Sequence, residues 1–223
     1  MFNRAYCAAV VVVALAFTLA PVPALATEPT NLSLCKHEVA AYVSSGEYAR
    51  EIADVALTTN AYLRERIPQG AAPGKKLAIV FDIDETMITS ADEIVANDYG
   101  YVPKVWDHWV AKGEAPAILP VQSVYGTALH EKIDVLIITG RTEKDRVVTE
   151  ENLHRVGYKN WTRIVYRSAS DLPGNADFKT EVRRKLTQEG YQIIANIGDQ
   201  ASDLSNGYAE RTFKLPNPFY MVK

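Results

Sequence analysis

The stretch from residue 77 to residue 86 constrains this chain more than any other. Five apolar residues, Leu77 to Phe81, lead into two aspartates, Asp82 and Asp84. Such a run predicts a buried parallel strand, and open α/β sheets bind ligands at the carboxyl ends of their strands. Two carboxylates this close repel each other unless a cation or a proton separates them. A divalent metal is the simplest remedy, and the alternative is an acidic turn that caps a helix.

Apolar runs and helical periodicities alternate along the chain. The predicted strands cover residues 77–81, 133–139, 163–166, 191–197 and 211–214. The predicted helices cover about 42–67, 103–112, 121–132, 142–156 and 179–189. Strands that alternate with helices predict an α/β fold with a mostly parallel central sheet and helices on both faces.

The first 26 residues have the pattern of a secretory signal peptide. Arg4 lies in a short polar start, residues 8–20 are almost wholly apolar, and Ala24-Leu25-Ala26 supplies an Ala-x-Ala cleavage pattern. A membrane anchor is the alternative, but the apolar run is shorter than the roughly 20 residues that a spanning helix needs. We therefore expect a secreted or periplasmic protein that has no membrane attachment after cleavage.

The mature chain, residues 27–223, has the length of one domain with an insertion. We expect it to begin with a polar leader at 27–37. Loss of Arg4 with the signal peptide takes the formal net charge from −3 to −4, which argues against a nucleic-acid partner. The triplet Arg183-Arg184-Lys185 is interpreted as solvated surface. The sequence leaves the oligomeric state open, a homo-oligomer included.

About fifty residues separate the acidic loop from the next apolar strand, far more than a plain helical crossover needs. We interpret residues 87–120 as a cap inserted beside the active site. The cap contains four aromatic residues, Tyr99, Tyr101, Trp106 and Trp109. They suggest stacking on a nucleoside base, and the alternative is that they pack against the core.

Polar groups follow three of the predicted strands, and the carboxyl ends of parallel strands meet at one rim of a sheet. These groups are Asp82 with Asp84, Thr139, and Asp199 with Asp203. Oxygen donors of this kind are the ligands that magnesium prefers, so the rim predicts a Mg²⁺ site. Thr139 with Gly140 predicts a phosphate seat of hydroxyl and backbone N–H groups. Lys179 is a weaker signal, because a lysine at a helix start is ordinarily solvated.

The order of these motifs resembles that of the haloacid-dehalogenase superfamily of phosphotransferases. The motifs are Asp82-x-Asp84-x-Thr86, the strand ending in Thr139, the isolated Lys179, and Gly198-Asp199-x-x-x-Asp203. Thr139-Gly140-Arg141, Ser168 to Asp171 and Phe213 to Pro218 are similar to the acid phosphatase branch, which includes plant vegetative storage proteins and secreted bacterial acid phosphatases. The resemblance covers roughly residues 35–220. It implies a Rossmann-like three-layer sandwich with a small cap, and a magnesium-dependent acid phosphatase that hydrolyses small phosphomonoesters.

The resemblance also implies roles for the four aspartates. Asp82 would attack phosphorus and form an aspartyl-phosphate. Asp84 would protonate the leaving alkoxide and later deprotonate the attacking water. A carboxylate oxygen of Asp82, the backbone carbonyl of Asp84 and Asp199 would hold Mg²⁺, and Asp203 would orient that shell.

The phosphate group would be bound by other residues of the same motifs. Thr139, Gly140 and Lys179 would contact its oxygens, and Lys179 would also offset the charge of Asp82. Arg141 would either anchor the substrate or form a salt bridge.

Three other functions are compatible with parts of this pattern. A non-enzymatic storage or phosphate-binding protein is the first, because some related plant storage proteins have lost the nucleophile, whereas this chain keeps Asp82. A dehalogenase would use an aspartate nucleophile but needs no metal and has little use for Asp84. A phosphotransferase that passes phosphate to an alcohol needs the same residues, so only product analysis separates it from a phosphatase.

Overall fold

A computed structural model describes residues 28–168 and 174–222 of the chain. The strands are β1 (Lys76–Phe81), β2 (Asp134–Thr142), β3 (Arg163–Arg167), β4 (Tyr191–Gly198) and β5 (Arg211–Lys214). They form one sheet in the order β3-β2-β1-β4-β5, with every pairing parallel. The predicted α/β fold with a parallel central sheet is therefore confirmed. The predicted signal peptide lies outside the described residues.

Eight α-helices occur in the described part of the chain. They are α1 (Leu32–Ser44), α2 (Glu47–Arg66), α3 (Ala91–Ala96), α4 (Pro103–Lys112), α5 (Leu119–His130), α6 (Arg146–Arg155), α7 (Asn175–Gln188) and α8 (Ala201–Leu204). The bounds of α4 agree with the predicted cap helix. Across residues 28–168 and 174–222, no helix has both the length and the apolarity to cross a bilayer.

Alternate side chains of the central strand β1 pack into two separate clusters. Ile79 and Phe81 join the larger cluster with buried residues of α2 and α5. Ala78 and Val80 join a second cluster with Phe178 of α7. Because successive side chains of a strand point to opposite faces, these helices lie on opposite sides of the sheet. The result is a three-layer arrangement in which β1 is buried on both faces.

The expectation of a polar leader at 27–37 was wrong, because α1 begins at Leu32. The side chain of Asn31 caps this helix by accepting a hydrogen bond from the Ser33 N–H at 2.9 Å. The helix predicted over about 42–67 is instead divided at Gly46, whose φ of 81° suits glycine. The sequence pattern missed α1 because this helix buries no residue completely.

The predicted end of the second strand at residue 139 was also wrong, since β2 continues to Thr142. Its pairing with β3 is irregular between Ile138 and Thr142. Thr142 and Asp145 form a capping box after the strand. It starts a short 3-10 turn that leads into α6. The extension keeps Arg141 on a strand, which fixes its position at the rim of the sheet.

The interpretation of Arg183 as solvated surface was wrong, because this side chain is completely buried. Its Nη1 donates to the carbonyl of Asp203 at 2.6 Å, its Nε donates to the carbonyl of Gly207 at 3.0 Å, and its Nη2 donates to the carbonyl of Ser205. Burial lowers the pKa of Arg183 to about 10, so it stays protonated at neutral pH. The guanidinium therefore holds the loop that follows β4.

Replacing Arg183 with Met is expected to lower the free energy of unfolding by about 2–4 kcal/mol, because buried carbonyls of the loop lose their donors. Urea unfolding of the two proteins measures the difference. Arg184→Met is the matched control, since Arg184 forms a partly exposed ion pair with Glu181 and its loss should destabilise the protein much less. Equal destabilisation by the two substitutions would contradict the assignment.

Candidate active site

The carboxyl ends of β1, β2 and β4 bring the predicted acidic residues to one rim of the sheet. Asp82 follows β1 directly, and its N–H donates to the carbonyl of Ile197 in β4 at 3.0 Å. Asp199 follows β4, and Asp203 lies in the short helix α8 behind it. All three aspartates are buried. The parallel pairing of β1 with β4 therefore places these acidic segments side by side.

Lys179 joins two of these carboxylates. Its Nζ lies 2.5 Å from Oδ1 of Asp82 and 2.6 Å from Oδ1 of Asp203. The predicted helix start at Lys179 was wrong, since α7 begins at Asn175, and the lysine is buried rather than solvated. Burial opposes the charge of Lys179, but the two carboxylates outweigh burial and raise the pKa of the lysine. The amine therefore stays an ammonium inside the site.

Asp82, Asp199 and Asp203 form a buried cluster in which one carboxylate oxygen of each lies within 4.8 Å of the others. Burial raises the pKa of Asp82 well above its ordinary value. Burial and the neighbouring charge of Asp203 likewise raise the pKa of Asp199. When ionised, the three carboxylates carry more charge than one ammonium balances. Hard oxygen donors grouped in this way fit a divalent metal ion.

The two aspartates that follow β4 differ in how their oxygens are used. Asp203 offers Oδ1 to the lysine, and its Oδ2 accepts the backbone N–H of Gln200 at 2.8 Å. Asp199 accepts on Oδ2 from the side chains of Gln200 at 2.6 Å and Asn217 at 2.7 Å. Its Oδ1 accepts a longer bond of 3.2 Å from Thr86. Asp199 therefore has an oxygen available for a cation, whereas both oxygens of Asp203 accept hydrogen bonds from protein groups.

Asp84 faces Arg141 across the rim. The Nη2 of Arg141 donates to Oδ1 of Asp84 at 2.7 Å, and its Nε donates to Oδ2 at 3.1 Å. The Nη1 of the same guanidinium donates to Thr149 at 3.0 Å. Of the two roles considered for Arg141, the structure contains the salt bridge.

Thr139 and Gly140 lie at the same rim but in different positions. Thr139 is completely buried, and its Oγ1 accepts the backbone N–H of Arg141 at 3.1 Å. Gly140 lies in the wall of the cavity above the aspartates. A hydroxyl that accepts one hydrogen bond can still donate another, so Thr139 retains a donor.

Sequence reasoning assigned no role to Glu85, which is completely buried beside Asp84. Its φ of 52° lies in the left-handed region, which is unfavourable for a residue with a side chain. Its Oε1 accepts from the N–H of Ser90 at 2.6 Å, and its Oε2 accepts from Thr89 at 2.7 Å. Glu85 thus ties the aspartate loop to the start of α3. Its place inside the motif was the available signal, but its partners were not visible in the sequence.

A cavity of about 680 Å³ opens above the aspartates. Its floor includes Asp82, Asp84, Arg141, Lys179 and Asp199. Its upper walls are largely apolar and include Ile94, Tyr99, Tyr101, Val102, Val105, Trp106 and Val110 from the cap segment, and Phe219, Tyr220, Met221 and Val222 from the end of the chain. Three of the four cap aromatics therefore border the cavity, whereas Trp109 does not. Tyr99 and Trp109 both pack against the main core.

Comparison with known proteins matches residues 8–223 to the family described as "HAD superfamily, subfamily IIIB (Acid phosphatase)". The stem 28 kDa glycoprotein of Glycine max is 36% identical over 155 residues, which cover 66% of this chain and 61% of that protein. Acid phosphatase 1 of Solanum lycopersicum is 36% identical over 148 residues, which cover 64% of this chain and 58% of that protein. This chain thus spans about three fifths of the length of these relatives.

Comparison with solved structures gives the same fold. The class C acid phosphatase from Bacillus anthracis superposes with a TM-score of 0.70 over 85% of each chain, at 24% sequence identity. This similarity bears on the fold alone.

The raised pKa of Asp199 predicts how the stability of the metal-free protein depends on pH. A carboxyl whose pKa is raised on folding binds its proton more tightly in the folded state, so folding is favoured at low pH and disfavoured as pH rises above its ordinary value of 3.8. With a chelator present, the free energy of unfolding of the wild type relative to Asp199→Asn should fall as pH rises above 3.8. The fall amounts to about 1.4 kcal/mol for each unit of pKa increase.

Glu210 supplies the control of opposite sign. Its hydrogen bonds from Arg66 lower its pKa, so its contribution to stability is lost as pH falls. The wild type relative to Glu210→Gln should therefore lose stability toward acidic pH. Urea unfolding across the pH range measures both variants. The assignment would be contradicted if the free energy of unfolding of the wild type rose relative to that of Asp199→Asn with increasing pH.

Proposed function

The chain belongs to subfamily IIIB of the HAD superfamily, the acid phosphatases, and from this premise we propose that it is a secreted, magnesium-dependent phosphomonoesterase. The observation that carries the proposal is the buried pair of Asp82 and Lys179 beside Asp199, on the floor of a cavity with apolar upper walls. A carboxylate next to a cation site, at the bottom of a pocket, has the position that a nucleophile for phosphoryl transfer needs.

Asp82 performs the first displacement. Its carboxylate oxygen attacks phosphorus, the bond between phosphorus and the ester oxygen breaks, and an aspartyl-phosphate forms on Asp82. Asp84 gives its proton to the leaving alkoxide. In the second displacement Asp84 takes a proton from water, whose oxygen attacks phosphorus. The bond between phosphorus and the Asp82 oxygen then breaks, which regenerates the carboxylate and releases inorganic phosphate.

Asp84 must carry a proton in the first step, and its carboxyl oxygens accept hydrogen bonds from Arg141. Both side chains border the cavity, so the phosphate of a substrate offers the guanidinium a second anion. We infer that Arg141 pairs with Asp84 before binding and contacts phosphate afterwards. A guanidinium suits this exchange because its fork of N–H donors fits carboxylate and phosphate alike.

The proposed cation site uses two aspartates of the buried cluster and one backbone carbonyl. Asp82, Asp199 and the backbone carbonyl of Asp84 would hold Mg²⁺, which neutralises charge on the transferring phosphoryl group when bound. Lys179 offsets the charge of Asp82 and, with Asp203, keeps the loop after β4 in place. Thr139 and Gly140 supply a hydroxyl and backbone N–H groups to the phosphate oxygens.

The walls of the cavity support a preference among phosphomonoesters. Above the polar floor, side chains of the cap and of the last described residues are mainly aliphatic and aromatic. The part of the substrate that leaves as an alcohol therefore meets apolar surface. We infer that aromatic or apolar leaving groups, a nucleoside base among them, are hydrolysed more efficiently than small polyols.

Export is supported by two observations. The first 26 residues have the signal-peptide pattern, and two relatives from Glycine max are named stem glycoproteins. The substrate is then a small phosphomonoester outside the cytoplasm, and the acidic net charge disfavours a nucleic-acid polymer.

Aryl phosphate hydrolysis should require both Mg²⁺ and Asp82. Asp82→Asn removes the nucleophile while keeping its shape, so the rate should fall by at least about 1,000-fold, and a chelator should abolish wild-type activity. Asp54→Asn, an exposed position on α2, is the matched control and should keep the full rate. A wild type that is inactive from acidic to neutral pH favours a storage or binding protein. Activity that survives Asp82→Asn means that another residue is the nucleophile.

Trp106→Ala should lower kcat/KM about 10-fold for naphthyl phosphate and for a nucleoside monophosphate, because each loses a stacking surface. For glycerol phosphate the value should change less than about twofold. Trp106→Phe keeps an aromatic ring and should restore most of the loss. Steady-state kinetics with the three substrates measure the ratios, and an equal fall for all three would exclude a role for this wall in selecting the leaving group.

A further inference from the structure

The last described residues cross the active site as a strap, defined as residues 215–222. The strap begins next to the loop that carries Asp199, since the N–H of Leu215 donates to the carbonyl of Gly198 at 2.9 Å. Phe219 anchors it by packing edge-on against Tyr48 of α2, with ring centroids 5.4 Å apart. Phe219 and the three residues that follow border the cavity. The strap therefore forms part of the cavity wall, together with residues of the cap.

Asn217 connects the strap to Asp199 through both ends of its amide. Its Nδ2 donates to Oδ2 of Asp199 at 2.7 Å. Its Oδ1 accepts the backbone N–H groups of Phe219 at 2.8 Å and Tyr220 at 3.3 Å. The second set of bonds is an Asx-type turn, which fixes the direction of the chain after the asparagine. One side chain thus shapes the strap and holds the carboxylate.

Gln200 repeats this connection from the opposite side. Its Nε2 donates to the same Oδ2 of Asp199 at 2.6 Å and to the carbonyl of Tyr220 at 3.3 Å. Its Oε1 accepts the backbone N–H of Val222 at 2.9 Å. Two amides therefore occupy Oδ2 of Asp199, whereas Oδ1 accepts only the longer bond of 3.2 Å from Thr86. Turning the strap away from the site would break the bonds that fix the orientation of this carboxylate.

We propose that Asn217 is a positioning residue that couples the conformation of the strap to metal binding by Asp199. The inference rests on the proposed function, because it takes Asp199 to be a ligand of Mg²⁺. Hydrogen bonds to the distal oxygen of a ligating carboxylate hold it in the orientation that the metal needs. Coupling of this kind is reciprocal: a docked strap strengthens metal binding, and bound metal holds the strap in place. The wall that meets the leaving group is thereby linked to the chemistry below it.

Three variants of the full mature chain separate the two ends of the amide. Asn217→Ala removes both the donor to Asp199 and the acceptor for the strap. Asn217→Ser keeps an oxygen that can accept from the following N–H groups, but its side chain is too short to reach Asp199. Asn60→Ala is the matched control, since Asn60 lies on α2 and its amide contacts Ser123. Circular dichroism and urea unfolding establish that each variant is folded before it is compared.

Calorimetric titration with Mg²⁺ alone is the first measurement. Asn217→Ala and Asn217→Ser should weaken Mg²⁺ binding by about 10- to 100-fold, whereas Asn60→Ala should bind like the wild type. Hydrogen–deuterium exchange of the strap is the second. In the wild type, Mg²⁺ should slow exchange of the 219–222 amides by about fivefold or more, and in Asn217→Ala this effect of the metal should disappear.

The outcomes distinguish this inference from the proposed function. A wild type that binds no Mg²⁺ overturns both. Mg²⁺ binding by the wild type with unchanged affinity in Asn217→Ser overturns the positioning role and leaves the phosphatase proposal standing. If Mg²⁺ does not change the hydrogen–deuterium exchange rate of the 219–222 amides in the wild type, the proposed coupling is likewise overturned.

Discussion

The ammonium of Lys179 between the carboxylates of Asp82 and Asp203 is the interaction on which the site depends. The three residues come from α7, from the loop after β1 and from α8, so the ion pairs draw together elements that are distant in sequence. Breaking a buried pair leaves an uncompensated charge and is strongly destabilising. One turn further along α7, Arg183 holds the backbone of the same loop. The helix α7 thus holds Asp203 in two ways. Lys179 contacts its side chain, and Arg183 donates to its backbone carbonyl.

Most of the sheet and the acidic half of the site could be predicted from the sequence. The two buried strands β1 and β4 are mainly apolar, with Asn196 as a buried polar exception in β4, and Asp82 and Asp199 stand directly after them. The convergence of these ends follows from parallel pairing. The identity of the polar residues at the ends then limits the chemistry. Local pattern and topology were therefore sufficient for these positions.

The remaining features depend on partners that are distant in sequence. Arg183 lies in a run of three basic residues that has the pattern of solvated surface, and its burial is decided by carbonyls about 20 residues away. Asn217 lies in the motif from Phe213 to Pro218, but the sequence does not show its contact with Asp199, which only the fold creates. The helix α1 was missed because it packs with half-buried residues and lacks a strong apolar stripe. In each case tertiary contacts, rather than local propensity, determine the outcome.

The cap and the strap, which form the two walls of the cavity, are each hydrogen-bonded to the aspartate segments at its floor. Glu85 follows Asp84 directly and accepts the N–H of Ser90, at the start of the first cap helix. Asn217 does the equivalent for the strap through Asp199. Because each wall is held by a residue next to a proposed catalytic or metal-binding aspartate, movement of either wall would disturb that aspartate. In the proposed mechanism, selection of the leaving group and phosphoryl transfer therefore both depend on one hydrogen-bonded unit.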